Sequence, residues 1–318
     1  MFIQTKGLYK YFDTPSGKLH AVDNINICIN EGETLGVVGE SGCGKSTLGR
    51  VILKLQEPDS GSIYYDGMDI TKLSDNDMRK MRRYMQIIFQ DPYSSLNPRY
   101  TVSEIISEPL NFFNIYDNPR DKKLRVEELM DIVGLSKRCY NMYPHEFDGG
   151  RRQRIVIARA LSINPKFIVC DEPVSALDVS IQAQIINLLM DLQKSLRLTY
   201  MFISHDLSVV KHISNNISVM YLGEIIESCD KKSLFECPMH PYTKALLSAI
   251  PSINFENGDK IKKNILLKGE ISSPINPKKG CRFYNRCVYA KEYCLNENIK
   301  LEEVDNKHYV ACLRAKEL

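Results

Sequence analysis

The chain has 318 residues, 43% of them hydrophobic and 25% charged, a balance that suits a globular protein and excludes a disordered or fibrous one. Its net charge of +3 comes from 42 Lys and Arg dispersed among 39 Asp and Glu, so no basic face announces a nucleic-acid partner. No apolar run approaches the ~18 residues that cross a bilayer, and no signal-peptide pattern follows Met1, so the expected compartment is the cytoplasm and any work at a membrane goes through partners.

The first third reads as strands. NINICI places Ile25, Ile27 and Ile29 on one side, as a half-buried strand does. TLGVVG reads as a buried strand entering a glycine-rich loop, and KSTLGRVILKLQ as a helix that stops before Pro58. SIYYDG reads as a strand closed by an Asp-Gly turn. From about 91 to 165 the pattern becomes helical, with EELMDIVGL and RRQRIVIARALS spacing apolar residues three and four apart. FIVCDEP returns as a short apolar strand, IQAQIINLLMDLQ as an amphipathic helix and YMFISHD as another buried strand. ISVMYLGEIIES reads as a hairpin turning at Leu222-Gly223. Buried strands alternating with helices predict an α/β sheet covered on both faces, with a helical insert. Past Pro251 Lys, Asn, Pro and Cys dominate, which sets an expected boundary between 1–252 and 253–318.

Gly39, Glu40, Ser41, Gly42, Cys43, Gly44, Lys45, Ser46 and Thr47 spell G-x-x-x-x-G-K-[ST] between a strand and a helix, the setting a phosphate-binding loop requires. The glycines let successive N–H groups face one anion, and the helix N-terminus adds its positive dipole end. Lys45 supplies a charge for the outer phosphates and Ser46 a hydroxyl for Mg²⁺. Further along, FIVCDEP delivers Asp171 and Glu172 to a strand's carboxyl end, where open α/β sheets bind ligands. Strand alternation would turn the two carboxylates to opposite faces, Asp171 to the Mg²⁺ shell and Glu172 to an attacking water. His205 closes YMFIS at a similar level, placed to bond the γ-phosphate.

With these stand Gln90 in IIFQDP, Gly149-Gly150 in FDGGRRQR and SALD at Ser175–Asp178, in the order found in ABC transporter ATPases. The resemblance covers about residues 1–250 and implies an α/β fold: a phosphate-loop NTPase core, an inserted helical subdomain at about 91–165 and a small Cys-rich C-terminal region. It implies ATP with Mg²⁺, Phe12 stacked on adenine, Gln90 on Mg²⁺ and water, and Asp178 signalling across a head-to-tail dimer. In that dimer each ATP lies between one chain's phosphate loop and the other's glycine signature. MQIIFQDPYSSLNPR, CPMHPYTKALLSAIP and GCRFYNRCVYAKEYC are similar to the oligopeptide/dipeptide/nickel importer branch, the first to its F-type subunit. This resemblance implies a D-type ATPase partner, two membrane permease subunits, a separate peptide-binding protein and a place on the cytoplasmic face of the membrane. A non-transport ABC ATPase would carry two ATPase units or a long coiled-coil insert, and this chain has one phosphate loop and neither addition. A mainly regulatory ATP-binding subunit is the other alternative, opposed by Glu172 and favoured in part by Asp148.

Two stretches depart from the ordinary. The signature usually reads LSGGQ, and here it reads Phe147-Asp148-Gly149-Gly150-Arg151. Serine donates to the γ-phosphate held by the opposite subunit, whereas ionised Asp148 only accepts. Two like charges ~4 Å apart cost about 4 kcal/mol at an effective dielectric near 20, part of which Arg151 offsets. Asp nonetheless caps a helix as well as Ser does. The expectation is a folded helix and a weak composite site. Cys281, Cys287, Cys294 and Cys312 then supply four thiols on short polar loops, with spacings that lack the C-x2-C pairs of familiar metal sites. Their chemistry alone leaves Zn²⁺, an iron–sulfur cluster and bare thiols open. The resemblance implies a [4Fe–4S] cluster, acting as a staple for a short tail.

Overall fold

The computed structural model describes residues 1–249, 272–297 and 299–317, so the boundary expected at 252 lies outside the described residues. The chain opens with three strands, β1 (Ile3–Thr14), β2 (Gly17–Ile25) and β3 (Cys28–Ile29), followed by β4 (Thr34–Val38) and helix α1 (Lys45–Ile52). Strands β5 (Ser60–Tyr65) and β6 (Met68–Asp69), helix α2 (Asp75–Met81) and strand β7 (Met85–Ile88) come next. Four helices occupy the following stretch: α3 (Pro92–Ser95), α4 (Val102–Phe112), α5 (Pro119–Ile132) and α6 (Gly149–Leu161). Strand β8 (Phe167–Asp171), helix α7 (Val179–Leu196), strand β9 (Thr199–Ser204), helix α8 (Leu207–Ile213) and the hairpin β10 (Asn216–Tyr221)–β11 (Glu224–Asp230) follow. Helices α9 (Lys231–Glu236) and α10 (Pro241–Ser248) lead to the last described part, which holds α11 (Tyr293–Asn296), β12 (Glu302–Asp305) and β13 (His308–Val310).

Two sheets result. One is antiparallel, in the order β2-β1-β5-β6 with β3 also on β1; the other runs β12-β13-β11-β10-β4-β9-β8-β7. The pairs β10–β4, β4–β9, β9–β8 and β8–β7 are parallel, and the far edge is antiparallel. Parallel strands covered on both faces should be apolar throughout, and β4, β8 and β9 are buried at every position. Their alternate residues enter different cores. Val37, Val169 and Ile203 pack with Leu48, Val51 and Ile52 of α1 against the antiparallel sheet. Val38, Cys170 and Phe202 pack on the opposite face with Ile105, Ile155 and Ile185 of the helices.

Ile25, Ile27 and Ile29 are buried as their alternation predicts, but the run is split between β2 and β3, with Asn24 in a left-handed conformation. Helix α1 ends at Ile52, well before Pro58, because Leu53 caps it and Lys54 has φ +48°. The Asp66-Gly67 and Leu222-Gly223 turns both have positive φ, the backbone that two-residue hairpin loops need. The Cys-rich portion is no detached tail. Strand β13 joins β11 through Glu227 opposite Val310 and extends the main sheet.

Candidate active site

The phosphate loop leaves β4 and enters α1 at Gly44, whose φ of +103° is the conformation that favours glycine. A Cβ there would sit 1.9 Å from the carbonyl oxygen of Ala21, so the position has no room for a side chain. Lys45 is buried, and its Nζ donates to the carbonyls of Gly39 at 2.8 Å and Glu40 at 2.9 Å. The ammonium thus holds the loop in the curl that an anion would occupy.

Ser46 Oγ donates to Asp171 Oδ1 at 2.6 Å, joining α1 to the end of β8. Burial pushes the Asp171 carboxyl up from its ordinary value, opposed by the Ser46 bond and by Arg50 and Lys45. Two oxygen donors side by side in a partly buried place suit a hard divalent cation with retained waters.

Glu172 has φ +47° and its amide donates to the carbonyl of Ile203. The strand stops at Asp171, so a left-handed residue, not strand alternation, separates the two carboxylates. Such backbone strain in a non-glycine residue is characteristic of functional sites. Gln90 Nε2 donates to Glu172 Oε2 at 3.0 Å, and His205 Nδ1 lies 3.4 Å from the same oxygen. Glu172 is 14% exposed and His205 57%, so the histidine stands at the mouth of the site.

Phe12, half-buried on β1, lines one cleft with Leu19, His20, Ala21, Ser41, Gly42, Gly44 to Thr47, Gln90, Glu172 and Pro274. The cleft therefore has an aromatic and apolar end and a polar end joined by the phosphate loop. It can seat a planar base at one end and a chain of phosphates at the other, with a carboxylate and an imidazole beside the last phosphate. His20 and Pro274 escaped the sequence reading, since nothing in their local spacing marks them.

Asp171 and His205 reach that cleft only through Ser46 and Glu172, and the residues of the signature and Asp178 do not line it. Asp148 is the N-cap of α6, accepting from the Arg151 amide at 2.8 Å, and Arg151 Nε lies 3.5 Å from Asp148 Oδ2. Gly150 is buried against α7, and Gly149 faces Leu177. Asp178 precedes α7 and is exposed, making no side-chain bond to that helix.

Cys281, Cys287, Cys294 and Cys312 line a single pocket with Phe283, Ile299 and Leu313. Burial pushes the Cys281 thiol up to about 12 and raises Cys287 and Cys312 as well, each helped by the neighbouring thiols. Among the described residues no three His, Cys, Asp or Glu side chains gather closely enough to hold one metal ion. The described residues therefore show a ligand set for neither the zinc nor the iron–sulfur cluster expected at this quartet. HPYTKAL, which carried no chemistry in the sequence, proves to place Tyr242 Oη as acceptor for the Glu40 amide at 2.9 Å.

No helix among the described residues is long and apolar enough to cross a membrane. The profile of the family described as ABC transporter matches residues 22–175, and that of the oligopeptide/dipeptide transporter C-terminal region matches 226–294. The oligopeptide transport ATP-binding protein AppF of Bacillus subtilis is 50% identical, over 98% of this chain and 96% of its own length. The oligopeptide transport ATP-binding protein OppF of Salmonella typhimurium is 49% identical, over 96% of this chain and 91% of its own. Among solved structures, the dimeric post-hydrolysis state of the ATP-binding cassette MJ0796 bound to ADP and phosphate matches with a TM-score of 0.66 and 30% identity, covering 72% of this chain and 98% of that one. The phosphate loop, its acidic strand end and these likenesses agree: the chain belongs to the ATP-binding, ATP-hydrolysing proteins of ABC transporters, in the oligopeptide/dipeptide transporter branch.

Proposed function

We propose that this chain powers the import of oligopeptides or dipeptides, as an F-type subunit paired with a homologous D-type ATPase beneath two membrane permease subunits. A separate binding protein would present the peptide, which never touches this chain. The names of the relatives support the cargo. The observation that carries the ATPase reading is one cleft lined by Lys45, Ser46, Gln90 and Glu172, with Asp171 bonded to Ser46 and His205 beside Glu172.

In this reading Phe12 stacks on adenine and the amides from Gly39 to Thr47 bind the phosphates. Lys45 turns from the carbonyls of Gly39 and Glu40 to the β- and γ-phosphates. Ser46 and Asp171, with Gln90 nearby, would hold Mg²⁺, which would supply positive charge against the phosphates. Glu172 orients a water for in-line attack, and His205 steadies the γ-phosphate as negative charge moves to the leaving oxygen. Asp178 carries the state of one site to the other subunit. Closure on ATP and opening after hydrolysis would then switch the permease subunits between access states.

The composite site completed by Asp148 and Arg151 is the weak one of the pair. Asp148 is a pure acceptor whose charge Arg151 offsets only in part. The cysteine quartet holds a [4Fe–4S] cluster in this proposal. What supports it is that the four thiols line one pocket. Buried neutral thiols would ionise on taking the cluster, and the group would tie the C-terminal loops together. Anaerobic purification should then give a brown protein with about four irons and as many sulfides. Stoichiometric zinc, or thiols without metal, would refute the cluster.

The ATPase reading is tested in the assembled transporter. A Lys45→Ala chain should lose MgATP binding and peptide uptake. Uptake equal to the parent's would end the reading.

A further inference from the structure

Glu40, the second residue of the phosphate loop, is gripped at three points. Its carbonyl accepts from Lys45 Nζ at 2.9 Å and its amide donates to Tyr242 Oη at 2.9 Å. Its carboxylate takes a two-point clasp from Arg286, with Nη1 to Oε2 at 2.7 Å and Nη2 to Oε1 at 2.9 Å. One of these grips, the Arg286 clasp, comes from the C-terminal portion. Arg286 ends the short 3-10 turn Tyr284–Arg286, one residue before Cys287 and five after Cys281. Its side chain is 7% exposed, and its guanidinium lies over the Tyr221 ring.

A forked guanidinium–carboxylate pair is directional, so Glu40 cannot shift while Arg286 stays in place. The Glu40 carbonyl is also where the Lys45 ammonium rests, and that ammonium must swing onto phosphate when nucleotide arrives. The same C-terminal portion reaches the base end of the cleft. The Pro274 carbonyl accepts from the His20 amide at 3.0 Å, Asn276 bonds Lys18 in both directions, and Arg282 pairs with Asp23. Both ends of the nucleotide cleft are therefore braced by residues beyond position 271.

We propose that Arg286 is a positioning residue for ATP binding: through Glu40 it sets the phosphate loop, and so couples nucleotide affinity to the integrity of the cysteine-bearing region. The proposal rests on the phosphate loop being the ATP site. A brace that only stabilises the fold would alter the melting temperature and leave the affinity of folded protein unchanged.

The test is a titration of the full-length chain with a fluorescent ATP analogue and Mg²⁺, beside melting curves without nucleotide. Arg286→Ala and Glu40→Gln should each weaken binding about tenfold, within the range typical of coupling between sites. The double variant should be no weaker than either single one, because both remove one clasp. Arg286→Lys should recover part of the loss, since an ammonium keeps the charge but not the fork. Cys287→Ser, which loosens the turn carrying Arg286, should weaken binding in the same direction. Parental affinity in Glu40→Gln overturns the proposal even where Arg286→Ala yields no folded protein. Additive losses in the double variant, or parental affinity in Cys287→Ser, overturn the coupling. Lys45→Ala separates the two levels. If it abolishes binding while the clasp variants bind normally, only this proposal fails. If it binds normally, the assignment of the site fails with it.

Discussion

Gln90 Nε2 donates to Glu172 Oε2 at 3.0 Å, and that same carboxylate oxygen lies 3.4 Å from Nδ1 of His205. One oxygen is thus addressed from beyond β7 and from beyond β9, so the orientation of Glu172 is determined from two sides. Glu172→Gln keeps the shape and removes the charge that the proposed mechanism uses to orient water. We expect steady-state ATP hydrolysis to fall by about 10²-fold or more, with MgATP still bound. A turnover assay alongside equilibrium nucleotide binding checks this, and hydrolysis near the parental rate would remove Glu172 from its role.

The Asp148 cap makes two opposite demands testable in one residue. Its carboxylate accepts from the Arg151 amide, as a serine hydroxyl also can. Asp148→Ser should therefore change stability by only about 0.5 kcal/mol. In the assembled transporter it should raise the ATPase rate if, as proposed, the signature faces the γ-phosphate of the opposite subunit, because a donor then replaces an anion. A rate equal to the parent's, or below it, counts against the weak-site reading.

His240 is buried and caps α10, its Nδ1 accepting from the Tyr242 amide at 3.1 Å. Burial pushes its pKa down to about 4, with the Glu227 carboxylate opposing. The unfolded chain takes up this proton as pH falls below about 6.5, and the folded chain does not until about 4. Stability should therefore be lost between these values as the solution is acidified, by about 3 kcal/mol in all. Asn also caps helices, so His240→Asn should flatten this part of the stability–pH curve. Chemical denaturation at several pH values between 7 and 4 measures it, and an unchanged slope in the variant would contradict the assignment. Glu227 acts lower on the scale. Its burial favours the neutral acid, but His308 and the amides of Met239 and His240 bring its pKa below the usual carboxylate range. Its contribution is present above the ordinary value of 4.5 and goes as pH falls through the folded one.

Gly150 tests the packing of α6 on α7. A Cβ there would lie 2.6 Å from Ile181 Cγ2, on a branched side chain with little freedom to move. Alanine gains about 1 kcal/mol of helix propensity over glycine. Overpacking costs about 1–3 kcal/mol, so the clash should win and Gly150→Ala should lower the melting temperature. A higher melting temperature would show that the interface relaxes.

The phosphate loop, the buried strands and the hairpin turns were legible in the amino-acid order because each depends on local chemistry: glycine conformations, apolar periodicity, a lysine and a hydroxyl at fixed spacing. Asp171, Glu172 and His205 were also recognisable, each at a strand end. Their proposed division of labour was read from strand alternation, whereas the structure separates the two carboxylates by a left-handed Glu172 and fixes Glu172 through Gln90, 82 residues earlier. The importance of Tyr242, Pro274 and Arg286 was wholly hidden. A clasp spanning the 246 residues between Glu40 and Arg286 has no periodicity and no motif; it exists only because β13 rejoins the main sheet beside β11 and carries the cysteine loops back to the phosphate loop. Short-range chemistry named the nucleotide, and long-range packing decided what holds its site in place.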